Sequence, residues 1–267
     1  MTYNKLLYEV RDGVAILTLS DPPTNTYTHD MMLELDDAIL RARMDAGVHV
    51  IVVTGAGDRF FCAGASIGML HTATPEFKYY FCLHANETLV RLEQTPKFVI
   101  AALNGHTVGG GLEIAMAADL RIARKGAGKV GLPEVTLGVL PGTGGTQRLA
   151  RLIGRSKAIE VMAGGGLMSF EEAVALGVIN AVWDESQLQG RSFADAVIEY
   201  AKGFTPPNKA SFAVGRMKRA VHSGSEMSLH EGLALERELQ QQLFVSADAR
   251  EGLSAYVEKR PPRFEGR

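Results

Sequence analysis

The stretch GGGLEIAMAADL, Gly109 to Leu120, sets three consecutive glycines one turn ahead of Glu113, which heads an apolar, alanine-rich helical segment. On either side the pattern changes. Phe98 to Leu103 is a short apolar run ending in Asn104-Gly105, and Leu120 to Ala123 reads as another strand, so the middle of the chain is β-α-β and the class is α/β. A strand, a glycine-rich turn and a helix place several backbone N–H groups at the helix N-terminus, unpaired within the helix and backed by its positive dipole end. Such a place attracts negative charge. Glycine lets a reacting oxygen approach the backbone closely, and Glu113 lies within reach of it, so the pattern suggests an oxyanion hole with an acid or base beside it. The same residues also fit a plainer role, tight packing of helix on strand with Glu113 as a solvated first-turn carboxylate.

Working outward, Leu7 to Leu19 reads as two strands around the hairpin dipeptide Asp12-Gly13, and PPTNT then breaks the pattern. Met32, Leu35, Ile39 and Ala42 recur at helical spacing within His29 to Met44, and Val48 to Thr54 is a β-branched run. After Gly142 helices dominate: Gly144 to Ile153, Lys157 to Met162, and a segment opened by the capping box Ser169-x-x-Glu172 and closed by Gly177. From Pro206 onward Leu229, Leu233, Leu235, Leu239 and Leu243 keep a helical period without an independent core, so residues 206–267 form a helical region expected to pack on something else, such as another subunit, beside a core of residues 1–205.

With 267 residues, 46% of them apolar and 22% charged, the chain supports one large domain or a domain with an appendage. A formal net charge of −2 argues against nucleic acid as a partner. No apolar run approaches the roughly 20 residues that span a bilayer, so membrane insertion is not expected. Two cysteines, Cys62 and Cys82, and an N-terminus without a basic-then-apolar signal point to a reducing, cytoplasmic compartment. The seven histidines show no metal-ligand spacing, so no metal is expected. Gly126 to Gly131 matches G-x-G-x-x-G, but Pro133 interrupts the helix that fingerprint needs, which leaves a surface turn. Cys62 has no histidine partner in sequence and reads as a small packing residue.

Two further segments bear on the glycine run. FFCAGASIGML, Phe60 to Leu70, is another loop of glycine and small residues following the strand Val50 to Val53. GLPEVTLGVLPGTGGTQRLAR, Gly131 to Arg151, sets Glu134 after a proline and ends in a glycine turn that opens a helix. With N-G-x-x-x-G-G-G-x-E, A-G-A and P-E-x-x-L-G-x-x-P-G-x-G-G-T-Q-R-L in this order, and EGLSAYVEKRPPRF near the C-terminus, the chain resembles the enoyl-CoA hydratase/isomerase (crotonase) family, and within it an enoyl-CoA hydratase.

The resemblance implies a spiral of repeated β-β-α units through roughly Val182, then helices that assemble a homotrimer or homohexamer. It implies that the backbone N–H groups of Ala65 and Gly110 polarise the thioester carbonyl of an acyl-CoA, that Glu113 and Glu134 hold the water, and that Gly142 helps through its backbone. Ala63, Ala65, Ser66, Ile67 and Gly110 are the expected contacts of the CoA moiety, with Lys259 approaching its phosphates from a neighbouring subunit. Coenzyme A is then part of the substrate and no separate cofactor is required. Water attacks Cβ while Cα gains a proton, and two carboxyl groups around one water divide that work, Glu113 activating water and Glu134 protonating Cα. A double-bond isomerase, working with a single glutamate, and a non-catalytic acyl-CoA-binding subunit are the alternatives; the joint presence of both glutamates favours hydration.

Three positions depart from the family pattern. Ser66 stands where Asp is common, Gly68 stands where a lysine often meets the CoA phosphates, and Glu113 and Glu134 are one residue further apart than in the typical hydratase, the extra residue falling in Lys125 to Val130. The aromatic cluster Phe77, Tyr79, Tyr80 and Phe81 fits either a core-facing helix or the border of the acyl pocket.

Overall fold

The computed structural model describes residues 3–267. Among them, ten strands run in chain order: β1 (Leu6–Arg11), β2 (Val14–Leu19), β3 (Val50–Gly55), β4 (Phe60–Cys62), β5 (Phe98–Leu103), β6 (His106–Val108), β7 (Leu120–Arg124), β8 (Lys129–Gly131), β9 (Met168–Ser169) and β10 (Ala181–Trp183). They form a six-stranded sheet in the order β1-β2-β3-β5-β7-β10 and a four-stranded sheet in the order β4-β6-β8-β9. The pairs β3/β4, β5/β6 and β7/β8 each send one strand to the large sheet and the next to the small one before helical structure follows, which is the expected β-β-α spiral.

The opening hairpin forms where Asp12-Gly13 predicts it: both residues have positive φ, 47° and 81°, as the tight turn between β1 and β2 requires. Along the parallel core of the large sheet, side chains alternate between two faces. Ile51 and Val53 pack on the side of helix His29–Met44, whereas Val50 and Val52 pack with Phe193, Val197 and Ala201 of helix Phe193–Lys202 on the other. In helix His29–Met44 all four periodic residues, Met32, Leu35, Ile39 and Ala42, are buried, and Thr28 caps its N-terminus. The capping box at Ser169 and Glu172 is present, with both reciprocal bonds made.

Beyond residue 205 three long helices follow, Ser211–Gly224, Leu229–Phe244 and Ala247–Glu258. The first is tied to the large sheet by Lys218, whose ammonium lies 2.8 Å from Asp119, just before β7. Of the periodic leucines only Leu239 is fully buried, while Leu229 is 79% exposed and Phe244, Tyr256 and Val257 are exposed too. Among the described residues no helix is long and apolar enough to cross a membrane.

Candidate active site

Strands β4, β6 and β8 are parallel neighbours, registered through Cys62 with Thr107 and Val108 with Gly131. Each therefore delivers the loop that follows it to one edge of the small sheet: Ala63 to Ala65 after β4, Gly109-Gly110 after β6, and Leu132 to Glu134 after β8. Sequence reading attached the first loop and the glycine turn directly to the long strands β3 and β5. The structure interposes β4 and β6, each too short at three residues to show an alternating pattern. Asn104, buried at the end of β5, bonds the N–H and carbonyl of Gly55 at 3.0 Å each and so clamps the ends of two large-sheet strands beneath this edge.

The three glycines have three separate reasons. Gly109 has a φ of 57°, and a Cβ there would lie 2.8 Å from Glu134 Oε1; a Cβ on Gly110 would collide with the Tyr27 ring, and one on Gly111 with the Cys62 carbonyl. Tight helix–strand packing and a cavity-facing turn thus coexist in one motif. The Gly110 N–H opens helix Gly110–Met116 and has no intrahelical partner, and neither it nor the Ala65 N–H donates to an acceptor among the described residues. Both residues line one cavity of about 160 Å³. Their loops meet: a Cβ on Gly64 would stand 3.0 Å from Gly110 N.

Glu113 is not the solvated carboxylate of the plainer reading. It is 2% exposed, and its Oε1 accepts from Thr143 N–H at 2.8 Å and Gly145 N–H at 2.7 Å, while Oε2 accepts the Thr143 hydroxyl. Tyr27 Oη lies 3.3 Å from Thr143 Oγ1. Since the single Thr143 hydroxyl proton goes to Glu113, Tyr27 donates in that pair. Burial, followed by the charge of Glu113, raises the Tyr27 phenol well above its ordinary value, so it keeps that proton.

Glu134 is placed differently. It opens a short 3₁₀ turn, Glu134–Leu137, and its Oε2 is buried with no hydrogen-bond partner among the described residues. Burial raises its carboxyl to about 7; the charge of Glu113 adds to the rise, and its own backbone N–H and the Lys78 ammonium oppose it. The two carboxyl groups line the same cavity in contrasting environments. They meet although the turn before β8 falls between them in sequence, at the opposite end of that strand from Glu134.

Of the other residues named from the sequence, Ala63, Ile67 and Gly142 line this cavity. Ser66 does not; its hydroxyl caps helix Ile67–Thr72 by accepting from Met69 N–H. Lys259 is not brought to the cavity within one chain either, but caps helix Ala247–Glu258 in a left-handed conformation. The aromatic cluster divides: Phe81 is buried and stacks on Tyr27 at 5.7 Å, whereas Tyr79 and Tyr80 face outward. Burial pushes the Cys62 thiol up to about 12, in keeping with a packing role. The Gly126–Gly131 fingerprint is a turn running into β8, with no α-helix opening directly after it. Sequence reading missed Tyr27, Thr143 and Lys78 as cavity residues. Thr143 occupies the variable position of P-G-x-G-G, and Tyr27 falls between the pattern break PPTNT and the helix that begins at His29.

The profile of the enoyl-CoA hydratase/isomerase family matches residues 9–267. A probable enoyl-CoA hydratase of Bacillus subtilis strain 168 is 36% identical, with 98% of this chain and 99% of that protein aligned. A short-chain-enoyl-CoA hydratase of Clostridium acetobutylicum is 34% identical over 100% of this chain and 98% of its own length. Among solved structures, an enoyl-CoA hydratase from Geobacillus kaustophilus HTA426 superposes with a TM-score of 0.95 at 43% identity, covering 100% of this chain and 98% of its own. The chain belongs to the enoyl-CoA hydratase/isomerase family.

Proposed function

We propose that the protein adds water to a 2-enoyl-CoA thioester, giving a 3-hydroxyacyl-CoA. The observation that carries this reading is the contrast between the two glutamates beside a pair of free N–H groups: Glu113 is held by three donors, and Glu134 has an unpartnered oxygen and a carboxyl poised near neutrality. The thioester oxygen accepts from Ala65 and Gly110 N–H, which stabilise the negative charge that develops as water attacks Cβ; one such donor is worth about 3 kcal/mol. Glu113, acting as base, takes a proton from the water as the Cβ–O bond forms. Glu134, entering protonated, delivers its proton to Cα as the enolate collapses. The Gly142 N–H, which has no acceptor among the described residues, helps hold the water. No separate cofactor enters these steps.

Ala63, Ala65, Ser66, Ile67 and Gly110 contact the CoA moiety in this reading. Lys259 reaches its phosphates from a second copy, which places the exposed apolar side chains of residues 206–267 in a trimer or hexamer interface. A second reading, double-bond isomerisation, draws on the full coordination of Glu113, which leaves Glu134 as the mobile proton carrier. Incubation with a panel of enoyl-CoAs in water containing heavy oxygen tests the choice. Hydration places the heavy oxygen in a 3-hydroxyacyl product; migration of the double bond without oxygen uptake establishes the isomerase instead.

A further inference from the structure

One charged group of the cavity has no part in the reaction above. Lys78 lies in the first turn of helix Pro75–Gln94 and lines the wall. Its ammonium stands 5.6 Å from the centroid of the Phe81 ring and 3.8 Å from the place a Cβ on Gly142 would take. No ion pair among the described residues includes it. Glu134 feels its charge but lies beyond ion-pair distance. The remaining wall is apolar, built from Ile67, Leu70, Leu137, Val139 and Leu140.

A plain hydrocarbon chain gains nothing from a cation in such a wall, whereas the few polar groups of an apolar pocket orient and select a ligand. The ring of Phe81 beneath the ammonium favours holding it inward. Position matters as well. Lys78 stands beside Gly142, where the proposed reaction holds the water that attacks Cβ, so the cation lies near the acyl chain just beyond that carbon in this reading. We propose that Lys78 is a specificity-determining residue that selects short 2-enoyl-CoA thioesters whose acyl chain ends in a carboxylate a few bonds beyond Cβ. This assignment rests on the hydratase reading of the site.

The test pairs two five-carbon substrates, glutaconyl-CoA and trans-2-pentenoyl-CoA, with the parent, Lys78→Met and Lys78→Arg. A charge-assisted contact supports a preference of about tenfold or more in kcat/KM for the carboxylated ester in the parent. That ratio collapses toward one in Lys78→Met, mainly through KM, and survives in Lys78→Arg. Calorimetric binding of glutaryl-CoA and pentanoyl-CoA, which cannot be hydrated, gives a second readout of the same ratio. Equal handling of the two esters by the parent, or a Lys78→Met that weakens both alike, overturns the proposal. If neither enoyl ester is hydrated yet glutaryl-CoA binding keeps its Lys78-dependent advantage, the carboxylate site stands and the hydratase reading falls.

Discussion

Thr143 donates twice to Glu113, through its backbone N–H to Oε1 at 2.8 Å and through its hydroxyl to Oε2. With the Gly145 N–H as third donor, the carboxylate is seated on the N-terminal end of helix Gly145–Ile153, where unpaired N–H groups and the helix dipole favour negative charge. Glu113 itself belongs to helix Gly110–Met116, so one side chain joins the two helices that flank the cavity.

Thr143→Val keeps the side-chain volume and removes the hydroxyl from Glu113 Oε2. A hydrogen bond to a charged group contributes about 1.5–3 kcal/mol, so kcat for hydration should fall by roughly ten- to a hundredfold, and Thr143→Ser should retain most of it. Tyr27→Phe, one bond further out, should cost only about 0.5–1.5 kcal/mol of stability in a denaturant titration. A folded Thr143→Val with parental kcat would remove Thr143 from the positioning of Glu113.

Glu113→Gln and Glu134→Gln keep volume while removing proton exchange. Each should lower hydration by roughly 10²–10⁴-fold, with the double variant little worse than the worse single one, because in the proposed mechanism both act on one water. Loss of the conjugated thioester absorbance measures it. Parental hydration by Glu113→Gln, together with loss of isomerisation only in Glu134→Gln, would select the isomerase reading.

The Glu134 carboxyl, raised to about 7, sets a pH dependence. In the proposed mechanism water adds when the glutamate pair carries one proton, and the reverse reaction needs the same total protonation, so kcat/KM should decline in both directions as pH rises through about 7. Stability follows the same sign. Between the unfolded value near 4.5 and about 7 the folded chain binds more protons than the unfolded one, so stability falls as pH rises and levels off above. Relative to Glu134→Gln, the parent should lose on the order of 1–2 kcal/mol across that window, less than full linkage because the group is partly exposed. Parallel denaturant titrations at pH 5 and pH 8 give the difference, and a flat difference would contradict the raised value.

At Gly110 even one methyl group collides with the Tyr27 ring. Gly110→Ala should therefore both destabilise the protein and abolish most turnover. The atoms it strikes belong to the far side of that ring, so Tyr27→Leu in the same chain should recover stability in thermal melts. Failure of the second change to recover any stability would place the clash elsewhere.

Lys218 is 8% exposed, and Asp119 is its ion-pair partner. Asp119→Ala leaves the buried ammonium with only the Leu92 and Lys97 carbonyls and the Val99 N–H without its acceptor, so it should cost about 3–5 kcal/mol and loosen helix Ser211–Gly224 from the sheet; adding Lys218→Met should return the part due to the unpaired charge. Chemical denaturation of the three variants measures both steps.

Much of the fold was legible because its signals are local. A turn dipeptide needs only its own φ angles, an amphipathic helix such as His29–Met44 needs only its period, and the capping box at Ser169 closes within one turn. The candidate acid and base were legible for a different reason: Glu113 and Glu134 stand in family motifs whose order along the chain carries the resemblance. Strands β4, β6 and β8 escaped, since three residues hold no period and their pairing is with one another across long intervals of sequence.

The sequence by itself determined most of the longer elements, the α/β class and which residue types stand at each loop. Only the tertiary structure decided what those residues do to one another. Parallel register in the small sheet brings Ala65 and Gly110 to one cavity, and Thr143, thirty residues after Glu113, supplies with the first residue of the following helix the donors that hold its carboxylate. Burial leaves Glu134 Oε2 without a partner and lifts its carboxyl toward neutrality. Hydrogen-bond reach and desolvation depend on distances of a few ångströms between residues far apart in the chain, and the folded register sets those distances where no local pattern records them.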